Sequence, residues 1–278
     1  MAPENVEILL AKRPAKGPVR KRSYLPALRT IFYTLDISLR FLARLAIGRG
    51  TLKSADALLA GYWKRIFRAG NASLEASGRA HFLRGQSYVV MSNHASILDI
   101  PALMGATPGS MRMVMKEELS RVPIWGPALV ASGFVPIDRK DRQKAIGQLE
   151  KAKQQLTGGV NIWISPEGTR SRNGKLAPFK KGGFHLAMDL GVPIVPTWIE
   201  GAQYIIPPDQ FIAIFDGTCT VRFGTPIPTA ARSREELPAL MAEVRAAIVA
   251  LAGDEALASE ALGQVAPRTL EAAAPLAP

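Results

Sequence analysis

The sequence predicts an α/β fold: a largely parallel sheet flanked by helices and preceded by an amphipathic N-terminal helical hairpin. After residue 73, short apolar runs typical of strands alternate with helical or looped stretches, and this alternation is characteristic of parallel sheets. Before it, two stretches with helical apolar spacing are joined at glycine. The chain has 278 residues, 47% of them hydrophobic, which is enough to bury a full core.

Residues 1–24 lack apolar periodicity and are rich in Lys and Arg, which predicts a basic flexible leader. Residues 1–72 hold fourteen Lys and Arg against four Asp and Glu, so most of the formal charge of +12 lies here. A basic arm of this kind indicates an anionic partner, either lipid or nucleic acid. The charged, proline-containing run over 12–22 does not fit a secretory signal. The sequence contains no stretch of 18 uncharged apolar residues, so a spanning helix is not expected.

Residues 25–72 are predicted to form the amphipathic helical hairpin. Apolar residues recur every three or four positions in each arm, with Arg, Lys and Asp on the other side. Such a hairpin packs into the core or lies in a membrane interface, and its basic side chains favour membrane docking. The aromatic residues expected in the acyl boundary are Phe32, Phe41, Trp63 and Phe67. They lie on apolar faces and are not interleaved with the cations, which argues against nucleic acid.

Residues 73–252 are predicted to form the α/β domain. Its strand-like runs fall near 74–82, 88–91, 111–115, 134–137, 160–164, 194–199 and 218–223. Helical spacing over 139–156 separates two of them. The run from Ser233 to Glu236 fits a capping box that opens a last helix. Residues 253–278 are rich in Ala, Pro and Glu, which predicts a flexible tail.

Cysteine and histidine usage limits the chemistry that is available. Cys219 is the only cysteine, so a disulfide within the chain is impossible and a reducing compartment fits. His81, His94 and His185 do not have the spacing of metal ligands, so no metal is expected. No Gly-x-Ser-x-Gly run is present to supply an acyl-serine nucleophile.

His94 and Asp99 stand where a short apolar strand gives way to a helix, in the run VVMSNHASILD that begins at Val89. On one straight helix, residues five apart point roughly 140° away from each other. The two side chains can therefore pair only if His94 lies in the turn and Asp99 reaches back from the start of the helix. A histidine held by a carboxylate is a general base with a fixed tautomer.

Two further motifs also follow predicted strands. One runs from Gly133 to Arg139, and the other is Pro-Glu-Gly-Thr-Arg at residues 166–170. Arg139 and Arg170 could each hold a phosphate with two parallel hydrogen bonds. Backbone amides near Gly168, or at the helix start after Ser96, could stabilise an oxyanion. A base, phosphate-binding cations and oxyanion donors are what acyl transfer to a phosphate-bearing alcohol needs.

These motifs, with the apolar run from Val192 to Pro196, resemble the glycerolipid acyltransferase family over roughly residues 74–228. The likeness is greatest to the members that acylate 1-acyl-glycerol-3-phosphate. It implies transfer of a fatty acyl group from acyl-CoA or acyl-carrier protein to the sn-2 hydroxyl, with no acyl-enzyme and no cofactor. His94 would be the general base and Asp99 would orient its ring. The substrate-binding residues that the resemblance implies are Lys116, Arg139, Glu167, Gly168, Thr169 and Arg170.

The expected partners are an anionic membrane surface, a lysophospholipid and the thioester donor, and no nucleic acid is expected. The expected location is the cytoplasmic face of the cell membrane, as a peripheral or monotopic protein. Two alternatives stay open. The same chemistry could act on another lysolipid such as lyso-ornithine lipid, in which case Arg139 and Arg170 would bind a carboxylate or diester. The protein could also be a non-catalytic, basic membrane-binding protein.

Overall fold

A computed structural model gives the structure of the chain. It describes residues 7–10, 22–138, 141, 143–144, 147–148, 158–171, 175–207, 213–214 and 217–253. The tail after residue 253, most of the basic leader and most of the predicted helix over 139–156 lie outside these residues.

Eight strands of the described residues form one mixed sheet in the order β1-β3-β10-β8-β4-β7-β5-β6, and β2 pairs separately with β9. Their bounds are β1 Glu7–Leu10, β2 Arg22–Ser23, β3 Ser73–Ser77, β4 Val89–Ser92, β5 Ser110–Lys116, β6 Val135–Ile137, β7 Val160–Ile164, β8 Ile194–Glu200, β9 Ala213–Ile214 and β10 Thr218–Phe223. From β8 to β6 every neighbouring pair is parallel. Strands β1 and β3, and β10 and β8, are antiparallel. The predicted largely parallel sheet is confirmed.

Helices cover both faces of the sheet. Their bounds are α1 Leu25–Ala46, α2 Leu52–Ala69, α3 Asp99–Ala106, α4 Trp125–Ala131, α5 Gly182–Leu190, α6 Ala202–Ile205 and α7 Leu237–Ala252. Three short 3-10 turns are Arg79–His81, Glu117–Arg121 and Arg234–Glu236. One core cluster joins α2 and α3 to the sheet, and a second joins α5 and α7 to the opposite face.

All seven strands predicted from the sequence are present, and only the first is clearly shorter than expected. It ends at Ser77, because Gly78 takes a φ of +74° and the chain turns away. A Cβ at this glycine would lie 2.0 Å from the carbonyl oxygen of Phe223, so no larger residue fits the turn. The predicted capping box is confirmed, since the Ser233 N–H donates to Glu236 Oε2 at 2.8 Å and the reciprocal bond is present.

The two predicted arms of the hairpin are confirmed as α1 and α2, but their aromatic residues are not where the sequence placed them. Phe41, Trp63 and Phe67 are buried in the core, so their expected place in the acyl boundary was wrong. Helix α2 covers one face of the sheet, and its apolar side chains pack against the strands there. Phe32, with 64% of its surface exposed, is the one member of the four that faces outward.

Helix α1 presents an apolar stripe to its surroundings. Its exposed members are Leu28, Ile31, Phe32, Leu35 and Leu39. Exposed basic side chains flank this stripe and continue along α2 (Arg29, Arg40, Arg44, Lys53, Lys64 and Arg68). None of the described helices combines the length and the apolarity needed to cross a bilayer.

Candidate active site

His94 and Asp99 are paired as the spacing predicted. Strand β4 ends at Ser92, His94 lies in the following loop, and Asp99 is the first residue of α3. Asp99 Oδ2 lies 2.7 Å from His94 Nδ1 and also accepts the backbone N–H groups of Ala95 and Ser96 at 2.8 and 2.9 Å. Because a carboxylate only accepts, Nδ1 carries the proton of the neutral ring and Nε2 keeps its lone pair.

Neighbouring strands hold this loop in place. The Asn93 side chain forms two hydrogen bonds with the backbone of Ile199 in β8, both at 2.8 Å. The indole of Trp163 in β7 lies edge-on to the His94 ring, with centroids 5.2 Å apart, and donates to Ser92 Oγ at 2.9 Å. The imidazole is thus fixed by packing as well as by Asp99, which is the pre-organisation that a general base requires.

The Pro-Glu-Gly-Thr-Arg motif and the residue after it form hydrogen bonds with the backbone of His94. Glu167 is 2% exposed, and its Oε1 accepts the His94 N–H at 3.2 Å while Oε2 accepts the Ala177 N–H at 2.9 Å. The Ser171 N–H donates to the His94 carbonyl at 2.7 Å. Burial raises the pKa of Glu167, and the two backbone N–H donors oppose that rise. Glu167 lies beneath the site and is not among the residues that line its cavity.

A cavity of about 1440 Å³ opens beside His94, and its lining divides by residue type. Its polar and charged lining includes His94, Lys116, Ser165, Arg170, Lys180 and Lys181. The apolar lining comes from the hairpin, α3, α4 and β5, and includes Ile37, Phe41, Leu58, Leu59, Met104, Met113 and Leu129. Such a cavity suits a molecule that carries both an acyl chain and an anionic group.

The other predicted residues gather at the same edge of the sheet. Motif residues follow β4 and β7, Lys116 ends β5, and these parallel strands are neighbours, so their carboxyl ends meet there. Lys116 is half-exposed and pairs with Glu118 at 3.0 Å. Arg170 and Thr169 are exposed, and only Arg170 of the two lines the cavity. Arg139 lies just after β6, outside the described residues.

Gly168 takes a φ of +70°, and the Lys180 side chain packs over it. A Cβ at Gly168 would lie 2.9 Å from Lys180 Nζ, so a larger residue would displace that cation from the site. Sequence motifs gave no role to Trp163, which lies against His94, or to Arg245, which donates to the carbonyls of Leu176 and Ala177. Trp163 is the next-to-last residue of β7, close to the strand end that the Pro-Glu-Gly-Thr-Arg motif follows. That position in the sequence could have identified it. No feature of the sequence near Arg245 identifies it.

Within the described ranges, no group of three or more His, Cys, Asp or Glu side chains could hold a metal.

Comparison with known proteins finds similarity to acyltransferases. Residues 73–200 match the family model described as Acyltransferase. This match agrees with the resemblance drawn from the motifs.

Among curated proteins, the chain is similar to human 1-acyl-sn-glycerol-3-phosphate acyltransferase alpha. The two are 40% identical over 175 residues, which cover 62% of this chain and 61% of the relative. It is 34% identical over 167 residues to 1-acyl-sn-glycerol-3-phosphate acyltransferase of Saccharomyces cerevisiae, covering 59% of this chain and 54% of that protein. The matches thus span between half and two thirds of these relatives.

Among solved structures, the chain is similar to the crystal structure of the 1-acyl-sn-glycerophosphate (LPA) acyltransferase PlsC from Thermotoga maritima. The TM-score is 0.60 at 24% identity, and the match covers 88% of this chain and all of that one. At this identity the likeness shows the fold alone.

Proposed function

We propose that this protein is a 1-acylglycerol-3-phosphate O-acyltransferase. It transfers a fatty acyl group from acyl-CoA or acyl-carrier protein to the sn-2 hydroxyl of 1-acyl-glycerol-3-phosphate, giving phosphatidic acid. The observation that carries the proposal is the His94–Asp99 pair, 2.7 Å between Nδ1 and Oδ2, beside a cavity with both cationic and apolar lining. The motif order and the names of the relatives support the same acceptor.

His94 Nε2 takes the proton of the sn-2 hydroxyl while the hydroxyl oxygen attacks the thioester carbonyl. The resulting tetrahedral oxyanion needs donors in place, and backbone amides near Gly168 are the candidates. The intermediate collapses by breaking its C–S bond, and the leaving thiolate takes the proton from His94 Nε2. Asp99 stabilises the imidazolium in between and holds the ring orientation. The products are phosphatidic acid and the free thiol.

The binding roles follow from charge and placement. Arg170 and Lys116 line the cavity and hold the acceptor phosphate, with Arg139 added from the motif resemblance. Gly168 and Thr169 present their backbone to the acceptor from the same loop. An acyl chain occupies the apolar lining between the hairpin and α3. No cofactor takes part, because a thioester already carries an activated acyl group.

The hairpin docks the enzyme on an anionic membrane surface. The outward stripe of α1 is apolar and its flanks are basic, which suits the boundary between headgroups and acyl chains. A lysophospholipid resides in that layer, so docking brings the cavity to its acceptor. The proposed location is the cytoplasmic face of the cell membrane, with the protein lying on the bilayer.

The test is acyl transfer by the purified full chain to lysophosphatidate in anionic vesicles, with acyl-CoA and acyl-carrier protein as separate donors. His94→Ala should lower kcat by about 10²- to 10⁴-fold, the usual contribution of a general base. His81→Ala is the matched control, since His81 lies in the 3-10 turn Arg79–His81 and does not line the cavity.

The acceptor panel separates the alternatives. Transfer to lyso-ornithine lipid but not to lysophosphatidate would replace the proposed acceptor. Thioester that stays intact with every lysolipid, while vesicle binding persists, would favour the non-catalytic membrane-binding protein. Near-normal turnover by His94→Ala would remove the assignment of His94 as base.

A further inference from the structure

We propose that Arg245, on the carboxy-terminal helix α7, is a positioning residue that clamps residues 175–180 and so sets the place of Lys180 in the cavity. The inference rests on the proposed function for the presence of an acceptor phosphate near Lys180, which lines the cavity, and on the structure for the clamp. Arg245 lies well beyond the stretch 73–200 that matches the acyltransferase family model. No motif of the sequence includes it.

The Arg245 guanidinium contacts the segment 175–180 at three points. Nη1 donates to the Ala177 carbonyl at 2.9 Å, and Nη2 donates to the Leu176 carbonyl at 3.0 Å. Its carbon Cζ lies 5.2 Å from the centroid of the Phe179 ring, on which the guanidinium stacks. A planar fork can serve two successive carbonyls and an aromatic face together, which the single ammonium of a lysine cannot do.

Glu167 also holds this segment. Its Oε2 accepts the Ala177 N–H, and its Oε1 accepts the His94 N–H. The peptide group between residues 176 and 177 is therefore held at its carbonyl by Arg245 and at its N–H by Glu167, and Arg245 also holds the Ala177 carbonyl. One buried carboxylate thus joins the clamped segment to the backbone of the proposed base.

The clamp matters because residues 175–180 have no helix or strand of their own to hold them. At the end of the segment, the Lys180 N–H donates to the Pro166 carbonyl at 2.8 Å, and the Lys180 side chain packs over Gly168. Lys180 lines the cavity with Arg170. The segment therefore sets how far the Lys180 ammonium stands from the acceptor phosphate.

The first test is steady-state kinetics of Arg245→Met, which keeps an apolar stem near Phe179 and removes the fork. The KM for lysophosphatidate should rise about tenfold, the loss expected when one charge-assisted hydrogen bond is weakened. The donor KM should stay unchanged and kcat should change less than the acceptor KM, because His94 keeps its bonds to Asp99 and Glu167. Arg245→Lys should give an acceptor KM between those of the wild type and Arg245→Met.

The matched control is Arg222→Met. Arg222 is also half-buried and donates to α7, at the Leu251 carbonyl, but it does not touch residues 175–180. It should leave the acceptor KM at the wild-type value. If Arg245→Met instead lowers the active fraction with both KM values intact, or if Arg222→Met raises the acceptor KM equally, Arg245 is a fold-stabilising residue and the clamp is wrong.

The second test does not depend on activity. Hydrogen–deuterium exchange should show faster exchange at the Ala177 and Lys180 amides in Arg245→Met and Arg245→Lys, and wild-type exchange there in Arg222→Met. Unchanged protection in both Arg245 variants overturns the clamp. A wild-type chain that fails to acylate lysophosphatidate would overturn the proposed function instead, while hydrogen exchange would still decide the clamp.

Discussion

Helix α2 turns its apolar side chains toward the sheet, whereas helix α1 turns many of its own away from it. Trp63, Ile66 and Phe67 of α2 are buried in the main core. On α1 only three residues, Pro26, Ser38 and Phe41, are buried, while a stripe that includes Leu28 and Phe32 is exposed. The two helices nevertheless have the same amphipathic spacing in sequence.

The difference teaches that apolar spacing in the sequence shows that a helix has an apolar face. It does not show whether protein or lipid packs against that face. Helix α2 stabilises the fold, and an ion pair ties it to the sheet: the buried Arg112 Nη1 lies 2.6 Å from Asp56 Oδ1. Helix α1 packs on α2, where Thr34 Oγ1 and Tyr62 OH are 3.0 Å apart, and it lines one wall of the cavity. The following predictions test this division of roles.

The largest effect is expected for the core side of the hairpin. Trp63→Ala should lower the free energy of unfolding by about 3–5 kcal/mol, because it removes a buried ring and leaves a cavity. Phe32→Ala, on α1, should change it by less than about 0.5 kcal/mol, because most of that ring is already exposed. Denaturant unfolding of both variants measures the contrast. Equal losses would show that α1 and α2 contribute alike to the core.

The next effect concerns the tie between α2 and the sheet. Asp56→Ala should cost about 2 kcal/mol of unfolding free energy, because it leaves the buried Arg112 with backbone carbonyl partners only. Adding Arg112→Met should recover part of that loss, since the unpaired charge is then gone. A double variant less stable than Asp56→Ala would show that Arg112 packs well without its partner.

A smaller effect, seen in binding and not in folding, is expected for the outward stripe. Replacing Leu28 and Phe32 together by Ser should weaken partition into anionic vesicles by about tenfold or more, because two apolar side chains no longer enter the acyl boundary. The melting temperature should stay the same. Leu83→Ser is the control, since Leu83 is equally exposed but lies outside the hairpin. Sedimentation with vesicles measures the change, and equal binding by all variants would remove α1 from the docking surface.

The smallest effect is expected for the two exposed ion pairs of Asp36, one within α1 and one to α2. Asp36 accepts from Arg40 at 2.6 Å and from Arg65 at 3.0 Å, and the hydrogen bond from Arg40 is the first cause of its lowered pKa. A lowered pKa in the folded chain means that the stabilisation is present above the ordinary pKa and is lost as the pH falls through the lowered value. Asp36→Asn should thus flatten the pH dependence of unfolding below pH ~4 and change little at neutral pH. A large loss at neutral pH would contradict this.

The sequence predicted the sheet because each strand is a short apolar run with its own turn signals, and local signals of that kind do not depend on tertiary contacts. It predicted the His94–Asp99 pair because only one geometry joins those two positions. It could not predict that Trp63 and Phe67 face the sheet, because the choice between a lipid and a protein neighbour is made by the rest of the fold. Arg245 was missed for the same reason: its partners are about 70 residues away in the chain.

Helix α1 has one side in the cavity lining and an apolar stripe on the outside, and this arrangement has a kinetic consequence for the proposed enzyme. An acceptor that moves from the bilayer into the cavity along this helix does not pass through bulk water. The concentration that governs turnover is then the mole fraction of lysolipid in the surface, and its molarity in the suspension is irrelevant. Diluting the acceptor with inert lipid should slow the reaction at constant total lysolipid, whereas diluting the whole suspension should not, as long as the protein stays bound.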